Sequence, residues 1–204
     1  MQTLTSTIDV SQQRVDALVL DVLPRQGQWR ENDYLWLTDH TTRLIEFTDG
    51  YIEALPMPTD AHQTILLFLY ECLAAFLRPL GGKVLVAPIR VKIRDGKFRE
   101  PDIMLMRSAA DERRQNRFWL GADVVVEIVS LDKPERDLVE KRRDYAEAQI
   151  PEYWIVNPQS ETITVLRLEE AAYVEHGVFR RGDAATSRWL DGFGVSVDAV
   201  FDAN

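Results

Sequence analysis

A chain of 204 residues, 46% hydrophobic and 28% charged, has the makeup of a globular protein long enough to bury a real core. Its net charge of −9 opposes approach to nucleic acid, so any nucleic-acid reading must rest on a local basic patch. A single cysteine, Cys72, excludes an internal disulfide and a cysteine-based zinc site, and His40, His62 and His176 fall at no ligand-like spacing, so a bound metal would be a hard one held by carboxylates.

The first residues, "MQTLTSTIDVSQQR", lack the basic-then-apolar layout of a signal peptide, and no apolar run approaches the roughly 18 uninterrupted residues of a membrane span. A cytoplasmic protein with no membrane partner is expected. "VDALVLDVL" reads as a short helix, followed by the polar "PRQGQWREND" of an extension packed on the core. "RLIEFTDGYIEAL" is a β-hairpin about Asp49-Gly50, the residue pair favoured in a two-residue turn. From Ala61 to Leu80 a strongly apolar helix is predicted, capped by Thr59 or Asp60 and stopped by Gly81-Gly82.

Two strands follow, "KVLVAPIRVKI" and "KFREPDIMLM", joined through a second Asp-Gly turn in "RDGK". "VVVEIVS" is apolar on both faces and reads as a central strand, then comes the helix "KPERDLVEKRRDYAEAQ", with Pro134 in its first turn, and the strand "EYWIVN". The last two strands flank a crossover helix and should run parallel, while the first three should form a meander. Glu161 to Phe201 reads as a β-hairpin and a short closing element. The expected fold is α/β, a mixed central β-sheet flanked by helices, with an N-terminal hairpin and a C-terminal β-hairpin. One domain is expected over 1–204: an extension over 1–39, a core over 40–157 and a β-rich tail over 158–204.

Glu127 lies in the middle of the apolar strand, where a lone carboxylate costs several kcal/mol unless it is paired, protonated or bound to a metal. Asp102 begins the preceding strand, after a proline tolerated at that position. Alone it would read equally well as part of a turn. Adjacent strands lie about 4.8 Å apart, so Asp102 and Glu127 could converge on one divalent cation, as in phosphodiester hydrolysis with Mg²⁺ or Mn²⁺.

On a helical wheel Leu138, Tyr145 and Ala148 form an apolar face, with Asp137 and Lys141 inside it and Glu140 and Arg143 away from it. Lys141 is either one member of an i,i+4 pair with Asp137 at the edge of the stripe or the charge partner of Glu127. In the first hairpin Glu46 opposes Glu53. Exposed, they would only repel; turned to the cleft, one could extend the metal site. Glu53, closer in sequence to His62 and the long helix, is the expected third ligand. His62 is either a general base or phosphate contact, or a local structural residue.

Together, "PD" at 101–102, the glutamate of "VVVEIVS" and this element order resemble the PD-(D/E)xK nuclease superfamily with its restriction-endonuclease-like fold. Four segments are similar to the Uma-two family of bacterial endonucleases: "EFTDGYIEALPMPTDAH", "REPDIML", "VVVEIVSLDKPERDLVEKRRDYAEAQIPEYWIVNP" and "GDAATSRWLDGFGVSVDAVF". The superfamily places a lysine two residues after the glutamate, where this chain has Val129. The Uma-two family also lacks it, a helix lysine standing in its place, and Lys141 matches that position. The resemblance implies Asp102 and Glu127 as metal ligands and Lys141 as the residue orienting water or stabilising charge, with Glu53 and His62 as further members.

The function so implied is a Mg²⁺- or Mn²⁺-dependent endonuclease whose partners are nucleic acid, DNA first, and a second copy of the chain. Duplex, branched and single-stranded substrates stay open. Two rivals remain: a catalytically silent binding module of the same fold, and a metal-dependent hydrolase of small phosphate esters. A basic rim formed by Lys92, Arg94, Lys97, Arg99, Arg142 and Arg143 would favour the nuclease.

Overall fold

Residues 22–130 and 135–203 are described by the computed structural model. The short helix expected at the N-terminus and Pro134 lie outside these residues, apart from the last two positions of that helix.

Two sheets carry the fold. The smaller is antiparallel, with strand order β2-β1-β5-β4, where β1 is Ile45–Thr48, β2 Tyr51–Ala54, β4 Val91–Arg94 and β5 Lys97–Arg99. Its first hairpin turns at Asp49-Gly50 as expected, with both residues at positive φ. Gly50 is required there, since a Cβ would come 2.7 Å from the Gly27 carbonyl oxygen. Helix α1, Glu31–Asp39, lies in the stretch read as a polar extension. Its Tyr34 is fully buried, stacked on Phe47 with ring centroids 5.2 Å apart and tilted against Phe98. The four apolar residues of these nine are consecutive, Tyr34 to Leu37, and give a weak periodic signal, so packing rather than pattern makes this helix.

The larger sheet has the order β10-β9-β8-β7-β6-β3, with β3 Lys83–Val86, β6 Ile103–Met106, β7 Val124–Ile128, β8 Glu152–Asn157, β9 Thr162–Glu169 and β10 Ala172–Phe179. The pair β7 and β8 is parallel and every other pairing is antiparallel. The expected three-strand meander is present in the large sheet as β3-β6-β7, but its first two strands are interrupted. Each of the two long strands expected from sequence breaks at a proline, Pro88 or Pro101, which has no N–H to give to a ladder. The outer halves stay in the large sheet as β3 and β6, while the inner halves become β4 and β5 of the small one. Asp102 therefore sits where the two sheets part company.

Helix α2, Asp60–Leu77, is capped by the Thr59 side chain and ends in a single 3₁₀ turn with Gly81 left-handed. Among the described residues it is the helix long and apolar enough to cross a membrane by length and composition, yet Ile65, Leu69, Leu73 and Leu77 pack on Val84, Ile103, Leu105, Val124 and Val126 of the sheet. The opposite sheet face packs Met104, Met106, Val125, Val129 and Tyr153 against Tyr145 and Ile150. The C-terminal hairpin β9–β10 extends the sheet, and β11 (Ala184–Thr186), β12 (Gly194–Ser196) and α4 (Val197–Phe201) close over α2.

Glu152 ties this closing segment down. Fully buried, it accepts from Ser187 Oγ at 2.6 Å, Arg188 N at 2.6 Å, Trp189 N at 2.8 Å and Trp154 Nε1 at 2.7 Å. Glu152→Ala orphans four donors at once and should cost about 3 kcal/mol in urea unfolding. A cost below about 0.5 kcal/mol, the range of ordinary surface substitutions, would show that water satisfies those donors.

Candidate active site

Strand parity sorts the carboxylates. Along β7, Val124, Val126 and Ile128 face α2, while Val125 and Val129 face the other way, so Glu127 points with them toward the crossover helix. That helix begins as a π turn, Arg136–Glu140, and continues as α3, Lys141–Glu147. The i→i+5 turn shifts the wheel, leaving Leu138 40% exposed, while Asp137 and Lys141 face inward with Tyr145 as expected and Asp144 joins them. The apolar face expected from sequence is thus partly a charged one.

Glu127, 2% exposed, is satisfied from this helix: Lys141 Nζ lies 2.8 Å from Oε2, and the Tyr145 hydroxyl donates to Oε1. Lys141 also contacts Asp137 Oδ1 at 3.0 Å, so both alternatives for Lys141 hold at once. Burial pushes the Glu127 carboxyl up to about 8, with Lys141 acting against it and Asp102 and Asp137 adding to it. Burial alone would lower the Lys141 ammonium, but Glu127, Asp137 and Glu46 more than offset that and raise it.

Asp102 stands one residue before the paired segment of β6, opposite Glu127 in the register set by Ile103 and Val126. Its Oδ2 accepts from Ile128 N at 2.7 Å and meets His62 Nε2 at 3.2 Å. His62 comes from the first turn of α2, with Nδ1 buried and without a hydrogen-bond partner. Burial works against charge on this ring, but the bond to Asp102 and its field raise its pKa overall. Four expected residues, Asp102, Glu127, Lys141 and His62, are therefore brought together.

Residues 31–198 match the family described as "Uma2: Putative restriction endonuclease". The chain belongs to this family. A solved structure from Anabaena variabilis, described as "a putative nuclease belonging to DUF820", is 19% identical and superposes with a TM-score of 0.67, covering 79% of this chain and 91% of that one. At that identity the likeness concerns the fold, which is the restriction-endonuclease-like α/β architecture expected from sequence. No curated protein resembles the chain closely enough to count as a relative.

Glu53 departs from expectation in this Uma2 chain. It does face the same side as Glu46, its cross-strand partner, but β2 is an edge strand. Glu53 stays half exposed, 3.2 Å from Arg136 Nη1. Glu46, on the inner strand, is buried with Arg136 on Oε2, Arg99 Nη1 at 3.4 Å, and Glu100 N donating at 3.2 Å. Burial raises the Glu46 carboxyl, but Lys141, Arg99 and Arg136 together bring it below its ordinary value. Among the described residues no group of three or more His, Cys, Asp or Glu side chains is placed to hold one ion, so the set Asp102, Glu127 and Glu53 is not assembled.

Glu53→Gln should change stability by less than about 0.5 kcal/mol and leave Mn²⁺ affinity unaltered. Glu46→Gln, which strips charge from a buried site facing two guanidinium groups, should cost about 3 kcal/mol by chemical denaturation. Equal costs would mean the burial difference between the two glutamates has no energetic weight.

The residues present fit a hard divalent cation. Asp102 and Glu127 offer oxygen donors from opposed strands, and their mutual repulsion is what a cation would relieve. Mg²⁺ commonly takes only one or two carboxylates, leaving its other positions to water and phosphate. The pairing of Asp137 with Lys141 was among the expectations, whereas Tyr145, read as part of the apolar face, was missed as a polar partner of Glu127; its i+4 spacing from Lys141 was the available signal.

Proposed function

We propose that this Uma2-family chain is a metal-dependent endonuclease. The observation that carries the reading is Asp102 opposite Glu127 across β6 and β7, with the Lys141 ammonium brought to Glu127 from the crossover helix. Asp102 and Glu127 would hold Mg²⁺ or Mn²⁺, which when bound supplies activation of water and neutralisation of the charge developing on phosphorus. Lys141, fixed between Glu127 and Asp137, orients that water or stabilises the phosphoryl oxygens. His62, held by Asp102, serves as proton acceptor or phosphate contact at the end of α2. DNA is the proposed substrate and the cytoplasm the proposed location, with two copies of the chain acting together where both strands are cut.

One observation favours a second reading. Of the six cations expected to rim the cleft, four are already committed to carboxylates: Lys92 to Glu31 and Asp95, Arg94 to Asp49 and Glu147, Lys97 to Asp144, and Arg99 to Glu46 and Asp144. Little of that charge remains for a phosphate backbone, which suits a hydrolase of small phosphate esters.

Incubation of plasmid, single-stranded and branched DNA, and of an aryl phosphodiester, with Mg²⁺, Mn²⁺ or chelator separates the readings. The nuclease predicts chelator-sensitive DNA cleavage lost in Asp102→Asn. Cleavage of the aryl ester alone selects the second reading. No turnover, together with no Mn²⁺ uptake by calorimetry, would overturn both.

A further inference from the structure

Lys141 stands in for a lysine that would otherwise project from the strand beside Glu127, and a helix residue has to be held to do so. The long lysine side chain has four rotatable bonds and a strongly hydrated head, so an ammonium delivered from a helix has no inherent reason to stay at one carboxylate. Glu127 cannot fix it alone. We infer that Asp137 is a positioning residue, pinning the Lys141 ammonium against Glu127 without touching the substrate; this rests on the endonuclease reading for its catalytic consequence.

Three features of the π turn support it. Asp137 is 5% exposed, and its Oδ1 lies 3.0 Å from Lys141 Nζ, opposite the 2.8 Å contact to Glu127 Oε2. Its own backbone is anchored, because the Tyr153 hydroxyl donates to the Asp137 carbonyl at 2.8 Å from β8. The far end of the pair is fixed independently, by Tyr145 one turn beyond Lys141 donating to Glu127 Oε1. Asp137, Lys141 and Tyr145 thus follow one stripe, and each end of the carboxylate–ammonium contact has a separate holder. Removing Asp137 frees the ammonium while leaving Glu127 held. An ordinary surface i,i+4 pair would do nothing of the kind, but this one is buried on both sides.

The test uses the full chain and two readouts. In Asp137→Asn, kcat should fall by about tenfold or more while KM and Mn²⁺ affinity stay within about twofold, because an interaction acting on the transition state is lost. Mass spectrometry after treatment with a lysine-directed acylating reagent should show Lys141 modified about tenfold faster than in wild type, since the released ammonium reaches solvent more often. In a Lys141→Met background, Asp137→Asn should have no further effect on kcat; a purely structural residue would give additive losses.

If Asp137→Asn fails to fold, Asp137→Glu keeps the charge, displaces it by one methylene, and should show the same loss of kcat and faster labelling. Unchanged labelling of Lys141 in a folded variant would overturn the inference whatever the activity. Additive losses in the double variant would also overturn it. A wild-type protein without nuclease activity would sink the function proposed above, while the labelling result would still decide whether Asp137 holds Lys141.

Discussion

Lys141→Met should lower the unfolding free energy by about 3 kcal/mol and the hydrolysis rate by more than about tenfold. The stability loss follows from what the ammonium now does. It lies 2.8 Å from Glu127 and 3.0 Å from Asp137, all three being nearly excluded from water. A thioether fills much of the same volume but leaves two buried carboxylates facing each other, with Tyr145 still donating to one of them. Divalent cation should then stabilise the variant more than the wild type, because a cation on Asp102 and Glu127 replaces part of the missing charge. Thermal melts with and without Mn²⁺ check this.

Adding Val129→Lys to Lys141→Met should recover part of both losses. Val129 is buried on the same sheet face as Glu127, so its side chain leaves β7 toward the same spot. A Lys141→Met protein with wild-type stability and wild-type rate would remove Lys141 from the site altogether.

Asp144→Asn should be nearly as damaging to stability, at about 3 kcal/mol or more, without any direct effect on chemistry. Asp144 is 1% exposed and receives Lys97 Nζ on one oxygen, with Arg99 Nε at 2.9 Å and Nη2 at 2.6 Å on the other. Both cations come from β5 of the small sheet, whereas Asp144 belongs to α3 over the large one. The three side chains therefore form a buried clasp between the two sheets, and one of its members, Arg99, continues to Glu46.

An asparagine keeps the shape but leaves two buried cations short of a counter-charge. Urea titration of Asp144→Asn, Lys97→Met and the double variant reads the coupling directly. The double variant should be less destabilised than the sum of the singles by about 1–3 kcal/mol, because removing Lys97 also removes one unmatched charge. Strict additivity would mean that the contact between Lys97 and Asp144 contributes nothing.

Much of this fold is legible in the sequence. Apolar runs interrupted by Asp-Gly pairs gave the hairpin turns, the 20-residue stretch before Gly81-Gly82 gave α2 within a few residues, and the crossover between two apolar strands gave the parallel pair β7 and β8. These features are local, being set by backbone sterics, side-chain period and turn chemistry, and so they can be read residue by residue. The opposition of Asp102 and Glu127, and the inward placement of Lys141, were readable for a related reason: a charge inside an apolar pattern needs a partner, and few were within reach.

Tertiary structure alone decided the remainder. Whether a long β run stays in one sheet or divides between two depends on which neighbours offer hydrogen bonds at Pro88 and Pro101, and that is settled by packing. The wheel drawn for a regular helix turns both Leu138 and Asp137 inward, and the π turn, stabilised by contacts such as Tyr153 to the Asp137 carbonyl, keeps Asp137 buried while exposing Leu138. Glu46 and Glu53 share a face and a register, so sequence placed them alike. Their difference comes from the position of β1 inside the sheet and β2 at its edge, because burial is a property of what lies next to a strand and no residue carries that information by itself.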